Sequence, residues 1–382
     1  MTGHLLTLNA GSSSVKFALF ERNGDLTQPQ LSGRVELAGI GDGVGPGAMT
    51  HAQALGKIMK RVGTARVVGV GHRIVHGGVK FAKPVLIDNA VLNDLARLEP
   101  LAPLHQPHNL AGVRAAMAAF TGAAQVACFD TAFHTTQPAV NQRFALPQGL
   151  HDAGVRRYGF HGLSYESIMT QLAGHDPVLA QGRVVVAHLG NGASLCAIHQ
   201  GCSVATTMSF SPLDGLTMGT RCGQLDAAVV LYLMQARGMT AEQITTLLYR
   251  ESGLLGLSGV SPDMRVLEAS VVPAAADAIT HFAEQIVQQL GRMAAAMRGI
   301  DALVFTGGIG ENAVALRARI MAESAWLGLV PDLGANQSGD LCISAAGSAV
   351  SAWVFKTNEE SVIARHMSRV LLQTGLSDPP AA

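Results

Sequence analysis

Four charged or titratable side chains stand out because they lie among glycines or at the end of an apolar run: Arg73 in GHRIVHGG, Asp130 in ACFDTAFH, His161 in RYGFHGLS and Arg221 in MGTRCG. An arginine in an apolar context needs an anionic partner, and its planar guanidinium group matches carboxylate and phosphate oxygens. These residue types favour phosphoryl transfer, which depends on positive charge and hydrogen-bond donors around the phosphoryl oxygens more than on covalent chemistry.

Three turns of glycine and small polar residues could contact phosphate. The stretch LNAGSSSVKFALF places such a turn between two apolar strands and follows it with Lys16. AHLGNGASL repeats the hairpin pattern later in the chain, and VFTGGIGEN joins an apolar strand to a helix. Backbone N–H groups at such turns bind phosphate, and glycine allows close approach. The repeated hairpin predicts two domains of related topology.

The third turn also permits a different interpretation. Gly308, Gly310 and Ala313 fit the dinucleotide-binding fingerprint, and Asp332 follows at a distance suited to a ribose ligand. An NAD-dependent dehydrogenase is therefore a competing hypothesis. Zinc is disfavoured, because His72 and His76 lack the glutamate of HExxH and Pro107 separates His105 from His108.

The composition excludes other classes of protein. The 382 residues suffice for two domains, and 27 basic residues balance 27 acidic ones, which gives no reason to expect nucleic acid or an anionic membrane. The five cysteines form no CxxC pair, which is typical of thiols in a reducing cytoplasm. No apolar run is long enough to span a membrane, and the first residues lack the features of a signal peptide.

The elements that must position these side chains alternate between strands and helices, which predicts an α/β fold with helices covering central sheets. Strands are predicted at 4–9, 15–21, 66–70, 124–129, 183–189, 194–199, 301–306 and 348–355. Helices are predicted at 50–62, 89–98, 106–120, 162–173, 224–236, 240–249, 274–298, 312–323 and 358–373. The glycine-rich segment 38–48 is predicted to be a surface loop.

The chain resembles the acetate kinase family in eight motifs that follow the family's order from residue 8 to residue 360: LNAGSSSVKFALF, GHRIVHGG, ACFDTAFH, RYGFHGLS, AHLGNGASL, MGTRCG, VFTGGIGEN and TNEE. The resemblance implies the fold of actin, sugar kinases and heat-shock ATPases, with two similar domains and an active-site cleft between them. We expect residues 1–149, joined by the C-terminal helix at about 361–382, to form one domain and residues 150–360 the other. It also implies MgATP-dependent transfer of a phosphoryl group to a short carboxylate, with Mn²⁺ as a possible substitute for Mg²⁺, in a homodimer.

The resemblance assigns roles to individual residues. It implies that Asn9 and Glu359 bind the metal ion. It implies a nucleotide site formed by Ser12, Ser14, Lys16, His188, Leu189, Gly190, Asn191, Gly192, Asp263, Met264, Arg265, Gly307, Gly308, Ile309, Gly310 and Glu311. It implies catalytic roles for Arg73, Asp130, His161 and Arg221. Arg73 would also bind the substrate carboxylate, and the acyl group would be surrounded by Val75, Leu104, Phe160 and Pro212.

Two of these residues also have a plausible structural role. Glu359 follows Asn358 at a predicted helix start, where an acidic side chain offsets the helix dipole. Asp130 is assigned as the family's acid/base, but a short carboxylic acid is already ionised at neutral pH and needs no general base. We therefore expect Asp130 to position magnesium, water or Arg73.

The size of Val75 predicts the preferred substrate acid, because this side chain is bulky enough to crowd an acyl chain longer than that of acetate. We expect acetate to be the preferred substrate and propionate a slower one. A propionate kinase of the same family is the alternative, and a non-catalytic nucleotide-binding regulator is disfavoured because nucleotide binding alone does not require the four catalytic candidates.

Overall fold

The computed structural model describes residues 3–11, 14–37 and 49–375, so Ser12, the segment 38–48 and residues 376–382 lie outside the described residues. Its strands are β1 (His4–Ala10), β2 (Ser14–Glu21), β3 (Leu31–Glu36), β4 (Val67–Ile74), β5 (Val85–Leu86), β6 (Ala124–Phe129), β7 (Arg183–Leu189), β8 (Ala193–His199), β9 (Cys202–Thr206), β10 (Ala302–Thr306) and β11 (Ser351–Val354).

Its helices are α1 (His51–Val62), α2 (Asn89–Ala96), α3 (Gln106–Ala119), α4 (Gln148–Asp152), α5 (Gly162–His175), α6 (Ala227–Gln235), α7 (Ala241–Arg250), α8 (Gly253–Ser258), α9 (Met264–Glu268), α10 (Pro273–Met297), α11 (Gly307–Asn312), α12 (Val314–Glu323), α13 (Leu333–Ser338) and α14 (Glu359–Gln373). Among the described residues, no helix combines the length and the apolar character that a membrane span requires.

The chain divides into two compact units. The first comprises Met1–Phe133 and Asn358–Ala382, and the second comprises His134–Thr357. The sequence analysis predicted one boundary between residues 149 and 150 and the other near residue 361. The segment after Phe133 groups with the second unit because buried His134 bonds to the Ser203 hydroxyl and to the Phe160 carbonyl there. That each unit is an independent domain stays a prediction.

The first unit contains a six-stranded mixed sheet in the order β3-β2-β1-β4-β6-β5. β1 and β2 form an antiparallel hairpin in which Asn9 lies opposite Lys16. β1, β4 and β6 are parallel, so their carboxyl ends meet at one edge of the sheet. Helices α1 and α3 cover one face, where Leu55 and Ile58 join a core with Leu6 and Leu8. Helix α14 packs on the other face of the same parallel strands.

The second unit contains a five-stranded mixed sheet in the order β11-β10-β7-β8-β9. β7 and β8 form the second predicted hairpin, and β10 and β11 run parallel to β7. The long helix α10 packs on β7, β8 and β9, while α5 packs on β7. The predicted fold class, α/β with two mixed sheets flanked by helices, is confirmed.

Some elements differ from the sequence prediction. The strand predicted at 66–70 continues to Ile74 and so carries Arg73 within the sheet. The helix predicted at 312–323 is preceded by α11, which begins directly at Gly307 after β10. β3, β5 and β9 were not predicted, because these strands are short or polar and are held by their neighbours rather than by an apolar pattern of their own.

Candidate active site

In the first unit, three strand ends bring polar side chains together. Asn9 lies in β1, Arg73 lies in β4, and Asp130 directly follows β6. The carboxylate of Asp130 accepts hydrogen bonds from Arg73 Nε at 3.0 Å and from Nη2 at 2.7 Å. Arg73 Nη1 donates to Asn9 Oδ1 at 3.3 Å. The parallel arrangement of these strands therefore places one guanidinium group between an amide and a carboxylate.

Glu359 joins this cluster from the start of α14. Its Oε2 lies 3.7 Å from Arg73 Nε. Asn358 caps the helix by accepting the Ser361 N–H at 3.0 Å, so Glu359 is the first helical residue and an acidic side chain there also offsets the helix dipole. The structure thus gives Glu359 both the predicted helix-end position and a contact with the cluster.

Burial and charge act in opposite directions on the pair of Arg73 and Asp130. The Asp130 side chain is 1% exposed, and burial raises its pKa while Arg73 opposes that shift. Burial alone would lower the pKa of Arg73, but the charges of Asp130 and Glu359 outweigh it and raise the pKa. Arg73 is therefore positively charged at any physiological pH, and two carboxylates hold it.

The sequence argument that Arg73 needs an external anion is only partly right. Arg73 has an internal anionic partner, Asp130, which comes from a strand remote in sequence but adjacent in the sheet. The bonds to Asp130 and Asn9 use Nε and one N–H on each terminal nitrogen. A guanidinium group has five N–H groups, so two stay available for a ligand.

The oxygen donors of this cluster suit a hard cation. Asn9, Asp130 and Glu359 contribute one amide and two carboxylates, and the two carboxylates exceed the charge of Arg73. Mg²⁺ prefers oxygen ligands and usually takes one or two carboxylates while water and substrate phosphates fill its other positions. No group of three or more His, Cys, Asp or Glu with metal-binding geometry occurs within the described residues. The donor set therefore fits a magnesium ion shared with a ligand.

In the second unit, His161, His188 and Arg221 surround Gly192. The rings of His161 and His188 stack with centroids 4.2 Å apart. A Cβ atom on Gly192 would lie 2.7 Å from Arg221 Nη2 and 3.3 Å from His161 Nε2, so a side chain there would displace the guanidinium group. The glycine turn after β7 thus brings backbone, imidazole and guanidinium groups to one place.

Arg221 is held at one end of its guanidinium group. Its Nη1 donates to the Pro212 carbonyl at 2.6 Å, and burial lowers its pKa to about 10. Arg221 remains protonated at neutral pH. Among the residues that the structure describes, no carboxylate forms a salt bridge with it. This partly buried cation lacks an anionic partner among the described residues, which is the situation that the sequence argument anticipated.

His161 adopts an unusual backbone conformation. It is the residue before α5 and has φ of 61°, in the left-handed region that residues other than glycine seldom occupy. Its Nδ1 lies 2.9 Å from the Ser194 hydroxyl, which also contacts Tyr165. Strained residues of this kind cluster at functional sites because the surrounding contacts hold them.

A cavity of about 690 Å³ opens beside the same turn of the second unit. Seven of the predicted nucleotide residues line it: Gly190, Asn191, Asp263, Met264, Arg265, Gly308 and Ile309. Met264 is buried, and Asp263 caps α9 by accepting the Arg265 N–H. The volume lies in the range of ligand pockets for small molecules.

The other predicted nucleotide residues do not line this cavity. His188 bonds to the Ser164 hydroxyl, and Glu311 accepts the N–H groups of Gly307 and Thr357, so both organise the turn. Leu189, Gly192 and Gly310 lie in the same strand-and-turn region. In the first unit, Lys16 is exposed on β2 and the Ser14 carbonyl accepts the Gly11 N–H.

The predicted acyl-pocket residues are divided between the units. Val75 and Leu104 belong to the first unit, whereas Phe160 and Pro212 belong to the second. Val75 is buried, and its N–H donates to Asn109 Oδ1 at 2.9 Å. Asn109 in turn donates to the Ala10 carbonyl, which fixes Val75 to the end of β1.

Comparison with known proteins identifies the family. The family model described as the acetokinase family matches residues 4–365. The chain belongs to the acetokinase family. It is 50% identical to an acetate kinase of Methylocella silvestris over 98% of this chain and 99% of that protein. Among solved structures, an acetate kinase of Porphyromonas gingivalis matches with TM-score 0.86 and 36% identity over 97% of this chain and 100% of that one. A propionate kinase of Francisella tularensis subsp. tularensis matches with TM-score 0.87 and 34% identity over 96% and 100%.

Membership of the acetokinase family makes the chain a kinase and decides against the dehydrogenase hypothesis. Asp332, the proposed ribose ligand, instead caps α13 by accepting the Ala335 N–H at 2.9 Å. The sequence analysis missed three residues of the cavity: Pro262, Glu268 and Asn312. Glu268 is exposed, and partial desolvation raises the pKa of its carboxyl group. Pro262 and Glu268 lie outside the eight motifs, and Asn312 ends VFTGGIGEN but was not assigned to the nucleotide. The folding around α9 and α11 brings all three to the cavity.

Proposed function

We propose that the chain transfers the γ-phosphoryl group of ATP reversibly to acetate, giving acetyl phosphate and ADP. The observation that supports it most is the junction of β1, β4 and β6, where Arg73 lies between Asn9 and Asp130 with Glu359 beside them. This cluster offers a cation for the carboxylate and oxygen donors for magnesium. The family match over residues 4–365 supplies the reaction class.

Arg73 binds the acetate carboxylate through the two N–H groups that Asp130 and Asn9 do not use. Asp130 holds the guanidinium group by a bidentate contact, which fixes its plane and lowers the entropy lost on binding. Acetate is already ionised at neutral pH, so its oxygen attacks without losing a proton. Asp130 is therefore a positioning residue for Arg73 and not a general base.

Arg221 and His161 stabilise the phosphoryl group during transfer. Arg221 has free N–H groups beyond its bond to Pro212, and it is partly buried, so its charge is screened less than that of an exposed side chain. His161 is oriented by its bond to Ser194. Fixed donors of this type act on the charge that spreads over the equatorial oxygens in the transition state.

Asn9 and Glu359 hold magnesium, with Asp130 as the third oxygen donor nearby. When bound, the ion would supply positive charge that offsets the negative charge developing on the phosphates. Mn²⁺ accepts the same donor types and is proposed as a substitute.

The nucleoside of ATP occupies the 690 Å³ cavity of the second unit, where buried Met264 supplies an apolar wall. The phosphates extend toward the turn at Gly192, and the phosphate-binding roles of Ser14 and Lys16 stay predictions from the family resemblance. MgATP should raise the melting temperature, because a ligand that binds only the native state stabilises it, whereas NAD should not.

Substrate size is proposed to depend on buried Val75. We propose acetate as the preferred acid and propionate as a slower substrate, since one methylene changes specificity only about 10–200-fold. The similar propionate kinase of Francisella tularensis makes preference for propionate the alternative.

The active form is proposed to be a homodimer, and α6 supports this. None of its residues is buried, although its sequence is AAVVLYLMQ, and Leu231 and Tyr232 are 53% and 54% exposed. A continuous apolar helix face on a protein surface marks an interface. Leu231→Asp should shift the mass in light scattering to that of a monomer, while Val271→Asp, at an exposed site off this helix, should not. We also propose a cytoplasmic location.

The decisive experiment for the activity traps acyl phosphate with hydroxylamine in the presence of MgATP and a panel of acids with two to four carbons. Hydroxamate should form fastest with acetate, more slowly with propionate and least with butyrate. Formation with no acid of the panel would refute the proposed function, and faster formation with propionate than with acetate would establish the alternative.

A further inference from the structure

A second cavity of about 260 Å³ lies in the same unit and is lined by residues that have no part in the proposed reaction. Three of them are arginines that come from separate parts of the chain: Arg143 precedes α4, Arg157 lies between α4 and α5, and Arg292 lies in α10. The cavity shares no residue with the larger one assigned to the nucleotide. It is therefore a distinct site.

The arginines carry more positive charge than the described carboxylates around them balance. Among the residues that the structure describes, Asp214 is the one carboxylate that forms a salt bridge with any of the three, at 3.8 Å from Arg157 Nη1. Arg292 makes a single contact of 3.5 Å with Gln289 through its guanidinium group. Burial lowers the pKa of Arg157, and the neighbouring charge of Arg292 lowers it further. Two guanidinium groups thus repel each other across a space that an anion could fill.

A buried amide donor points to the same space. Gln137 is nine-tenths or more buried and lines the cavity, and its Nε2 has no hydrogen-bond partner. An unpaired buried donor costs about 1–3 kcal/mol unless a ligand or water satisfies it. The orphan donor and the excess positive charge are independent observations, and both call for an acceptor with negative charge.

The site is also held in place before any ligand arrives. Arg157 lies over the Phe144 ring, with its guanidinium carbon 4.5 Å from the ring centroid. The Arg157 N–H donates to the Gln142 carbonyl, and Arg143 Nη1 donates to Gln148 Oε1 at 2.6 Å. The ring contact restricts the Arg157 side chain and the bond to Gln148 restricts that of Arg143. Less conformational entropy is therefore lost when an anion binds.

We propose that this cavity, defined by Gln137, Arg143, Arg157 and Arg292, binds a small multivalent oxyanion. Planar guanidinium forks bind carboxylate and phosphate oxygens in pairs, and three of them around 260 Å³ suit a ligand with two or more negative charges. The apolar side chains of Val140 and Met293 leave room for a short carbon skeleton. The ligand class is thus a small polycarboxylate or a phosphate compound, both recognised through the same oxygens.

Binding of an anion at this site would change the contacts of the loop that carries Pro212. An anion on Arg157 competes with Asp214, whose carboxylate also accepts bonds from the Ser209 hydroxyl and the Gly215 N–H. Pro212 lies between these residues, and its carbonyl holds Arg221. Occupancy of the cavity is therefore connected by direct contacts to a residue of the proposed reaction.

The test is isothermal titration of the full chain with tricarballylate and, separately, with inorganic phosphate. Either anion should bind. Tighter binding of tricarballylate would identify the ligand as a polycarboxylate, and tighter binding of phosphate would identify it as a phosphate compound. Arg292→Gln should weaken binding of that anion at least tenfold. Arg319→Gln removes the same charge from α12, outside the cavity, and should change the affinity less than twofold. Gln137→Met removes the orphan donor without changing net charge and should weaken binding several-fold.

Two results would overturn the proposal. One is the absence of binding by both anions at millimolar concentration. The other is equal affinity in wild type, Arg292→Gln and Gln137→Met, which would place any bound phosphate in the kinase site. Circular dichroism confirms that each variant is folded, and the two independent variants keep the test valid if one of them is not.

Discussion

Asp130 binds both Nε and Nη2 of Arg73, and this contact joins the ends of two neighbouring parallel strands. The side chain of Asp130 is almost fully buried against the guanidinium group. A carboxylate in this position can orient Arg73 toward a substrate. It is not needed as a general base, because the substrate carboxylate has no proton to give.

We expect Asp130→Asn to lower kcat/KM for acetate by about a hundredfold or more, since a misoriented guanidinium group loses both substrate binding and alignment. The pH dependence of the remaining activity should keep its shape between pH 5 and 8. Initial rates against acetate at several pH values measure both effects. An acidic limb that is present in wild type and disappears in the variant would instead identify Asp130 as a general base.

Arg221→Ala should lower turnover by more than about a hundredfold, the usual cost of losing a preorganised donor to transition-state charge. The affinity for ATP, measured by thermal shift, should change little, because the guanidinium group lies near Gly192 and does not line the nucleotide cavity. Near-normal turnover with lost ATP binding would reverse this assignment. Arg221→Lys should recover only part of the activity, since an ammonium group lacks the planar fork.

Glu359→Ala should raise the Mg²⁺ concentration needed for half-maximal activity, because it removes one carboxylate from the cluster. Glu360→Ala is the matched control, since Glu360 occupies the next position in the first turn of α14 and offsets the same dipole. Equal Mg²⁺ dependence in the two variants, with early melting of both, would mean that Glu359 acts only at the helix end.

Val75→Ala should improve the kcat/KM of propionate relative to acetate by roughly tenfold, because the two lost methyl groups leave room for one methylene, worth about 1–3 kcal/mol of discrimination. Val79→Ala, at an exposed position nearby, should leave the ratio unchanged. The test is the ratio of the kcat/KM values for propionate and acetate, measured in wild type and in each variant. If Val75→Ala does not alter it, Val75 does not contact the acyl group.

Buried His134 should make the second unit less stable in acid. Burial lowers its pKa from 6.5 to about 4, and its Nε2–H donates to the Phe160 carbonyl. The unfolded chain therefore binds a proton that the native state does not, and stability falls as pH drops from about 6.5 to about 4, by up to about 1.4 kcal/mol per pH unit.

The measurement is urea unfolding of wild type and His134→Gln at pH 7, 6 and 5. The difference in unfolding free energy between the two proteins should shrink as the pH falls, because the variant lacks this proton. Parallel pH profiles would show that His134 is not the group responsible.

The sequence by itself determined the pattern of strands and helices and most of the chemistry-bearing residues. Apolar runs of strand length fixed β1, β6 and β7 nearly to the residue, since a buried strand requires an unbroken apolar stretch. The Asn358 cap and the acidic residues after it fixed the start of α14. Motif spacing also singled out Arg73, Asp130, His161 and Arg221 as candidates, because reactive polar groups are conspicuous in apolar surroundings, and their catalytic roles stay predictions.

Only the tertiary structure decided which of these residues are partners. The sequence left Arg73 in need of an anion, whereas the parallel pairing of β4 and β6 provides Asp130. The cavity residues Pro262 and Glu268 and the arginine cluster around Gln137 follow no local pattern. Hydrogen bonding between strands and packing between helices bring together residues far apart in the chain. A partner fixed by such long-range contacts leaves no periodic signal in the sequence around it.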